Sequence, residues 1–289
     1  MKSVGDLLLR SISGLVFIAI LISASLFGIW AMILVLFPVL IIGIAEAIPL
    51  FWADKQDHNT KYWIIAAAIA YAITYLGIPY LQKLTIAVAV ATFLIFAGII
   101  LISSANKRAD FYQMIATLYV LNGILCLVWM PRIVQVLQQS NVNQIGDYSY
   151  QHKYVYLSFF ILQWSGDTFA YVVGRLFGKH PLAPKISPKK TWEGTIGGSI
   201  FLVTASLLLV YQFHIIPLYL AVVISISTMF LGVLGDLFQS KLKRQVGVKD
   251  SGNIIPGHGG ILDRFDSVLF SAPGVLYLGL IAIIILQLF

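Results

Sequence analysis

The densest chemistry in this 289-residue chain lies at 256–267, which reads Pro-Gly-His-Gly-Gly-Ile-Leu-Asp-Arg-Phe-Asp-Ser. Gly257, Gly259 and Gly260 let the backbone bend sharply, and their N–H groups can approach a phosphate without side-chain obstruction. The spacing predicts a helix starting just after them, and a helix N-terminus favours anions. Asp263, Asp266 and Ser267 then share one face at i, i+3 and i+4, with Arg264 between the two acids. Magnesium takes oxygen ligands, commonly one or two carboxylates together with its substrate's phosphates, so this segment suits Mg²⁺ plus phosphate. Zinc does not fit, because His258 has no Cys or His nearby. The bland alternative is a tight polar turn between two apolar elements.

Upstream, 234–244 predicts the polar end of a helix on which Asp236, Ser240 and Lys243 share a face. A carboxylate one or two turns from cations suits a metal and the phosphates it neutralises. Taken alone, the stretch equally fits a basic cluster gripping anionic lipid head groups. A second charged segment, 175–194, holds four lysines and two hydroxyls within the 13 residues from Lys179 to Thr191. Pro181, Pro184 and Pro188 stiffen it, which a mere tether does not need. No Walker A pattern is present, and Gly194 and Gly198 have the small-xxx-small spacing of close helix packing. Three acids, Glu46, Asp167 and Asp236, fall within or at the ends of apolar runs, where ionisable groups face the protein interior or water and usually signal function. For Glu46, simple solvation at an interface is an equally good reading.

The elements that must position these residues are set by composition. Hydrophobic residues make up 59% of the chain and charged ones only 11%, with mean hydropathy +0.90. A water-soluble globule is excluded, since it could not hide so much apolar surface. The net charge of +7 does not indicate nucleic acid, because the basic residues lie in short loops between apolar runs. Apolar runs at about 12–30, 31–52, 62–82, 84–104, 111–131, 154–174, 195–213, 215–238 and 268–289 predict about nine spans. The first two join through a tight turn near Trp30, and the N-terminus does not read as a cleaved signal peptide. With the N-terminus cytoplasmic, 16 of the 19 Lys and Arg fall inside, leaving Lys83, Arg132 and Lys153 outside. The expectation is therefore an all-α, polytopic membrane bundle. An N-terminal set of about five spans over 1–153 precedes a catalytic region over 154–289, with inner loops at 175–194 and 239–267. The outer connection at 132–153 carries no evident chemistry. Cys126, the single cysteine, reads as a buried structural thiol.

With these residues in view, the chain resembles the phosphatidate cytidylyltransferases, or CDP-diacylglycerol synthases. The family's pattern is matched at Ser240, Lys243, Arg244, Lys249, Asp250, Ser251, Gly252, Pro256, His258, Gly259, Gly260, Asp263, Arg264 and Asp266. Upstream, Ser165, Gly166, Asp167, Thr168, Gly174, Arg175, Phe177, Gly178, Lys179 and the stretch 187–194 also look like the family; the rest resembles it only as hydrophobic spans. The resemblance implies the reaction CTP + phosphatidate → CDP-diacylglycerol + pyrophosphate, with Mg²⁺ as cofactor. It implies Asp236, Asp263, Lys243, Arg244, Asp250, His258, Arg264 and Asp266 as catalytic residues. Lys185, Ser187, Lys189, Lys190, Thr191, Ser240, Lys249, Gly259 and Gly260 would bind substrate. Asp236 and Asp263 would hold the metal, with Asp167 and Asp266 as further candidates. The implied partners are CTP, phosphatidic acid and the lipid bilayer, with no nucleic acid and a homodimer left open. The implied location is a bacterial-type inner membrane, with the site facing the cytoplasm. A CTP-dependent lipid-alcohol kinase is a close alternative, which the intact pattern argues against. A transporter or channel burying Asp167 and Asp236 is a distinct one, and would move substrate without consuming CTP. A lipid-binding scaffold is a third, in which the aspartates would be dispensable.

Overall fold

The computed structural model describes residues 4–51, 60–76, 109–139, 152–213 and 218–288. Among the described residues the regular elements are helices and one small hairpin, with a long non-helical segment at 246–261. The elements are α1 (Val4–Phe27), α2 (Ile29–Phe51), α3 (Thr60–Leu76), α4 (Ala109–Gln139), α5 (His152–Phe177), β1 (Pro181–Ala183), β2 (Ser187–Thr191), α6 (Trp192–Phe213), α7 (Leu218–Gln245), α8 (Leu262–Phe265) and α9 (Val268–Leu288). Among the described residues, six helices are long and apolar enough to cross a membrane: those containing Leu8–Phe27, Ile29–Phe51, Tyr112–Gln135, Trp192–Gln212, Leu218–Gln245 and Leu262–Ile283. The expected span at 84–104 lies outside the described residues.

The first two helices part at Gly28, two residues before the expected turn. Its φ of 94° is a left-handed conformation that glycine adopts without strain, and its carbonyl accepts the N–H of Met32 to start α2. The connection expected at 132–153 begins later than the sequence suggests. α4 runs on to Gln139, so Arg132 is helical and donates to Gln135 one turn along.

α4 is the most enclosed helix and packs between α2 and α9. The core therefore runs through both the N-terminal and the C-terminal sets of helices. Near its charged end, four aromatic rings from four helices converge. Phe51, Tyr119, Phe238 and Phe270 have centroids 5.3–5.9 Å apart in tilted and edge-on pairs. Such pairs add stabilisation beyond the area they bury. Gln239 donates to the Tyr119 hydroxyl at 3.0 Å inside this plug, while its amide oxygen is buried without a partner among the described residues.

α5 and α6 meet through glycines. A Cβ at Gly194 would stand 2.5 Å from the Ala170 carbonyl, and one at Gly198 would stand 2.8 Å from the Ala170 Cβ. The small-residue spacing is thus close packing. Between these helices the proline-stiffened segment forms the antiparallel hairpin β1–β2, an addition to the expected all-α architecture. Pro181 pairs with Thr191 and Ala183 with Ser187. Thr191 Oγ1 accepts the Gly194 N–H at 3.2 Å and caps α6. Glu193 clasps the hairpin's start, accepting from the N–H groups of Lys179 and His180 at 3.1 and 3.2 Å and pairing with His180 Nδ1.

Candidate active site

The 249–262 segment is a cradle held from below by two carboxylates. Asp263 accepts from Lys243 Nζ at 2.7 Å, the Ser251 N–H at 2.8 Å and the Gly260 N–H at 2.9 Å. The Asp263 and Lys243 side chains are only 5% and 10% exposed, so theirs is a buried ion pair. Glu46 of α2 is also buried. Its carboxylate accepts from Ser251 Oγ at 3.1 Å, the Ile261 N–H at 3.2 Å and the Leu262 N–H at 2.8 Å. The loop lies so close that a Cβ at Gly252 or Gly260 would stand 2.3 Å from a Glu46 oxygen.

Glu46 thereby acquires a definite task that its sequence context left balanced between function and solvation. An acid well inside a long apolar run was the available signal, but its partners lie more than 200 residues away. Glu46→Gln puts a donor where one oxygen now accepts, so an N–H or hydroxyl of the cradle loses its partner whichever way the amide is turned. The expected cost is about 1–3 kcal/mol, read as a lowered thermal midpoint in detergent.

The turn itself closes through the N–H of Ile255 on Gly259 O and the N–H of His258 on Ile255 O, both at 2.9 Å. Gly257 and Gly259 take φ of 74° and 84° there. The glycine-rich spacing predicts Gly259 and Gly260 amides facing a phosphate. The Gly260 N–H is instead spent on Asp263. His258 rests on α1, where Ser13 Oγ lies 2.9 Å from His258 Nδ1, 2.9 Å from Pro256 O and 3.0 Å from Arg10 O. Ser13 thus ties the imidazole and the turn to the first helix through one hydroxyl. Burial, reinforced by the charges of Arg264 and Arg10, holds the imidazole below the usual histidine range, and it is neutral at neutral pH.

The expected site residues fall into two groups. Asp236 pairs with Lys190 of β2 and accepts from Ser240 Oγ at 3.0 Å. Asp266, Asp167 and Asp236 lie close enough to repel one another, with Lys190 and Lys243 as the neighbouring cations. Gln163 of α5 ties this group to α9, approaching Asp167 at 3.4 Å and accepting from Ser271 at 2.8 Å. The second group lines an open cleft of about 560 Å³: Lys249, Asp250, His258, Gly259 and Arg264, joined by Arg10 and Asn253. Arg264 donates to His258 O at 2.9 Å.

Asp263 and Asp266 lie three residues apart on one helical stretch, since Asp266 keeps helical dihedrals at the end of α8, and Lys243 stands beside both; Asp263 is further held by the cradle N–H groups, whereas Asp266 lies near Asp236. Among the described residues no three carboxylate or imidazole side chains converge to hold a metal unaided. The remaining residues stand apart. Lys185 and Lys189 are exposed on the hairpin beside Ser187, Thr191 caps α6, and Arg244 donates to Val248 O at 3.0 Å to close the turn after α7.

Fold and site together define a multi-pass membrane protein with adjoining acidic and basic clusters where its helix ends and inter-helix loops meet. The chain belongs to the cytidylyltransferase family, whose profile it matches over residues 8–282. It is 39% identical over 184 residues to a phosphatidate cytidylyltransferase of Haemophilus influenzae, covering 61% of this chain and 62% of that protein. It is 33% identical over 229 residues to one of Rickettsia bellii, covering 76% of this chain and 90% of that protein. With one of Bacillus subtilis the identity is 52% over 120 residues, 41% of this chain and 44% of that protein. The chain thus spans less than two thirds of the length of several of these relatives.

Proposed function

We propose that the protein transfers CMP from CTP to phosphatidate, giving CDP-diacylglycerol and pyrophosphate. The observation that carries this reading is the placement of Asp167 of α5, Asp236 of α7 and Asp266 near one another and near Lys190 of the hairpin, together with a cationic cleft lined by Arg10 and the 249–264 segment. A phosphatidate oxygen is ionised at neutral pH and attacks the α-phosphorus of CTP; the bond to the β-phosphate breaks and pyrophosphate leaves. The obstacle is repulsion between two polyanions, so the chain's contribution is positioning and charge neutralisation. Lys190, Lys243, Lys249 and Arg264 supply cations around the path, and the ion pair between Lys190 and Asp236 brings the hairpin against α7.

The acidic group fits Mg²⁺. Its ligating atoms are all oxygens, and mutual repulsion among three carboxylates is only partly met by two lysines. Asp236 and Asp266 would hold the ion, with Asp167 beside them. Asp263 is less suited, since it is buried and fixed by Lys243 and two backbone N–H groups, whereas Asp236 is more exposed and meets the side chains of Lys190 and Ser240. When bound, the ion would draw off charge from the departing pyrophosphate. Purified protein in detergent with labelled CTP, phosphatidate and Mg²⁺ should yield lipid-extractable label. Label that stays water-soluble in every condition refutes the reading.

The site end faces the cytoplasm of a bacterial-type inner membrane in this proposal, which lets CTP arrive from solution while acyl chains stay in the bilayer. The basic-residue asymmetry supports it. Reporter fusions after Lys185 and Lys249 should read cytoplasmic and one after Asn141 external. An external signal at Lys185 or Lys249 removes the route for CTP.

A further inference from the structure

Arg10 of α1 belongs to no motif that marks the chemistry, yet it lines the basic cleft together with Lys249, Asp250, His258 and Arg264. A Cβ at Gly257 would stand 2.5 Å from Arg10 Cγ, so the aliphatic stem of the arginine lies directly on the glycine turn. Ser13, one turn further along α1, binds that same turn at Pro256 O and at His258, which fixes the helix against it. Among the described residues the Arg10 guanidinium makes no hydrogen bond or ion pair, whereas Arg264 is held by His258 O. Three cations, Arg10, Lys249 and Arg264, therefore share a cleft with one carboxylate, Asp250. Their mutual repulsion is relieved by an anion between them. A guanidinium offers a planar fork of donors that matches two phosphate oxygens, and here its stem is already immobilised by the turn.

We propose that Arg10 is a substrate-binding residue that grips a phosphate in this cleft, making α1 a wall of the site. The proposal rests on the cytidylyltransfer reading for its substrates. Its chemistry, a phosphate ester or anhydride oxygen, is shared by the nucleotide triphosphate and the lipid head group, and kinetics separates the two. Arg10→Met keeps an aliphatic stem over Gly257 and removes the charge; Arg10→Lys keeps a charge without the fork. With the full chain in detergent micelles, Arg10→Met should raise one substrate's KM roughly 10- to 100-fold, the range of a lost charge-assisted hydrogen bond. Arg10→Lys should fall between it and wild type. A rise confined to CTP assigns Arg10 to the nucleotide, and one confined to phosphatidate assigns it to the head group. Unchanged KM values for both substrates, or a fall in kcat alone, overturn the proposal. Should the wild-type protein make no CDP-diacylglycerol, the reaction is refuted instead, and equilibrium binding of inorganic pyrophosphate tests Arg10 by itself. Weaker binding by Arg10→Met than by wild type then supports the proposal, and equal binding overturns it.

Discussion

Asp236→Asn and Asp266→Asn are each expected to lower CDP-diacylglycerol formation by about a hundredfold to a thousandfold, the loss typical of removing one electrostatic stabiliser of a transition state. Both variants should still fold. The amide keeps the shape of the carboxyl group, and removing one of three mutually repelling charges relieves the native state. Asp236 retains its Ser240 contact as an amide, and Asp266 retains an oxygen for the Ser267 N–H at 2.8 Å. If the two acids serve one Mg²⁺, their effects are not independent, and the double variant should be little slower than either single one. A multiplicative loss would assign them to separate steps. Activity near wild type in either well-folded variant would remove that residue from the proposed site and move the metal to its neighbours. Turnover in the wild type should also stop with a magnesium chelator and return with added Mg²⁺.

The sequence made the membrane character plain because apolar runs of about 20 residues have few other uses. Six of the expected spans appear as helices long and apolar enough to cross, and the expected span 154–174 appears as α5, which Asp167, Arg175 and its other polar groups make less apolar. The hairpin was not legible. Its strands are three and five residues long, contain proline and lysine, and show no alternation of apolar with polar positions. The chemistry-bearing residues could be found by type and spacing, but not sorted, since spacing does not say which donors reach each carboxylate. Asp263 and Asp266 look alike in sequence and share Lys243, yet Asp263 is taken up by the cradle N–H groups while Asp266 lies near Asp236. Glu46, Gln163, Ser13 and Arg10 depend on contacts between distant segments. Arg10 in particular reads as an ordinary positive flank of the first span. Its use appears only once α1 lies against the turn at Gly257.

The buried pair of Lys243 and Asp263 gives the other large effect, and it separates holding the cradle from doing the chemistry. Asp263→Ala takes from a buried ammonium its hydrogen-bonded carboxylate and strands the N–H groups of Ser251 and Gly260. Removing one partner of such a pair costs about 3–5 kcal/mol, because the remaining charge stays buried without compensation. The thermal midpoint in detergent should fall, and limited proteolysis should cut within 249–260 where the wild type resists. Lys243→Met should cost less, since Asp263 keeps its two backbone donors. Joining Lys243→Met to Asp263→Asn removes both charges, and the amide oxygen can still accept from the cradle. The double variant should therefore lose less stability than the Lys243→Met and Asp263→Asn single variants do when their losses are added. Its turnover should stay low, because Lys243 also stands beside Asp266 and no methionine replaces that positive charge. Stability losses that simply add would show that the pair is not coupled. Recovery of turnover in the double variant would show that Lys243 serves the fold alone.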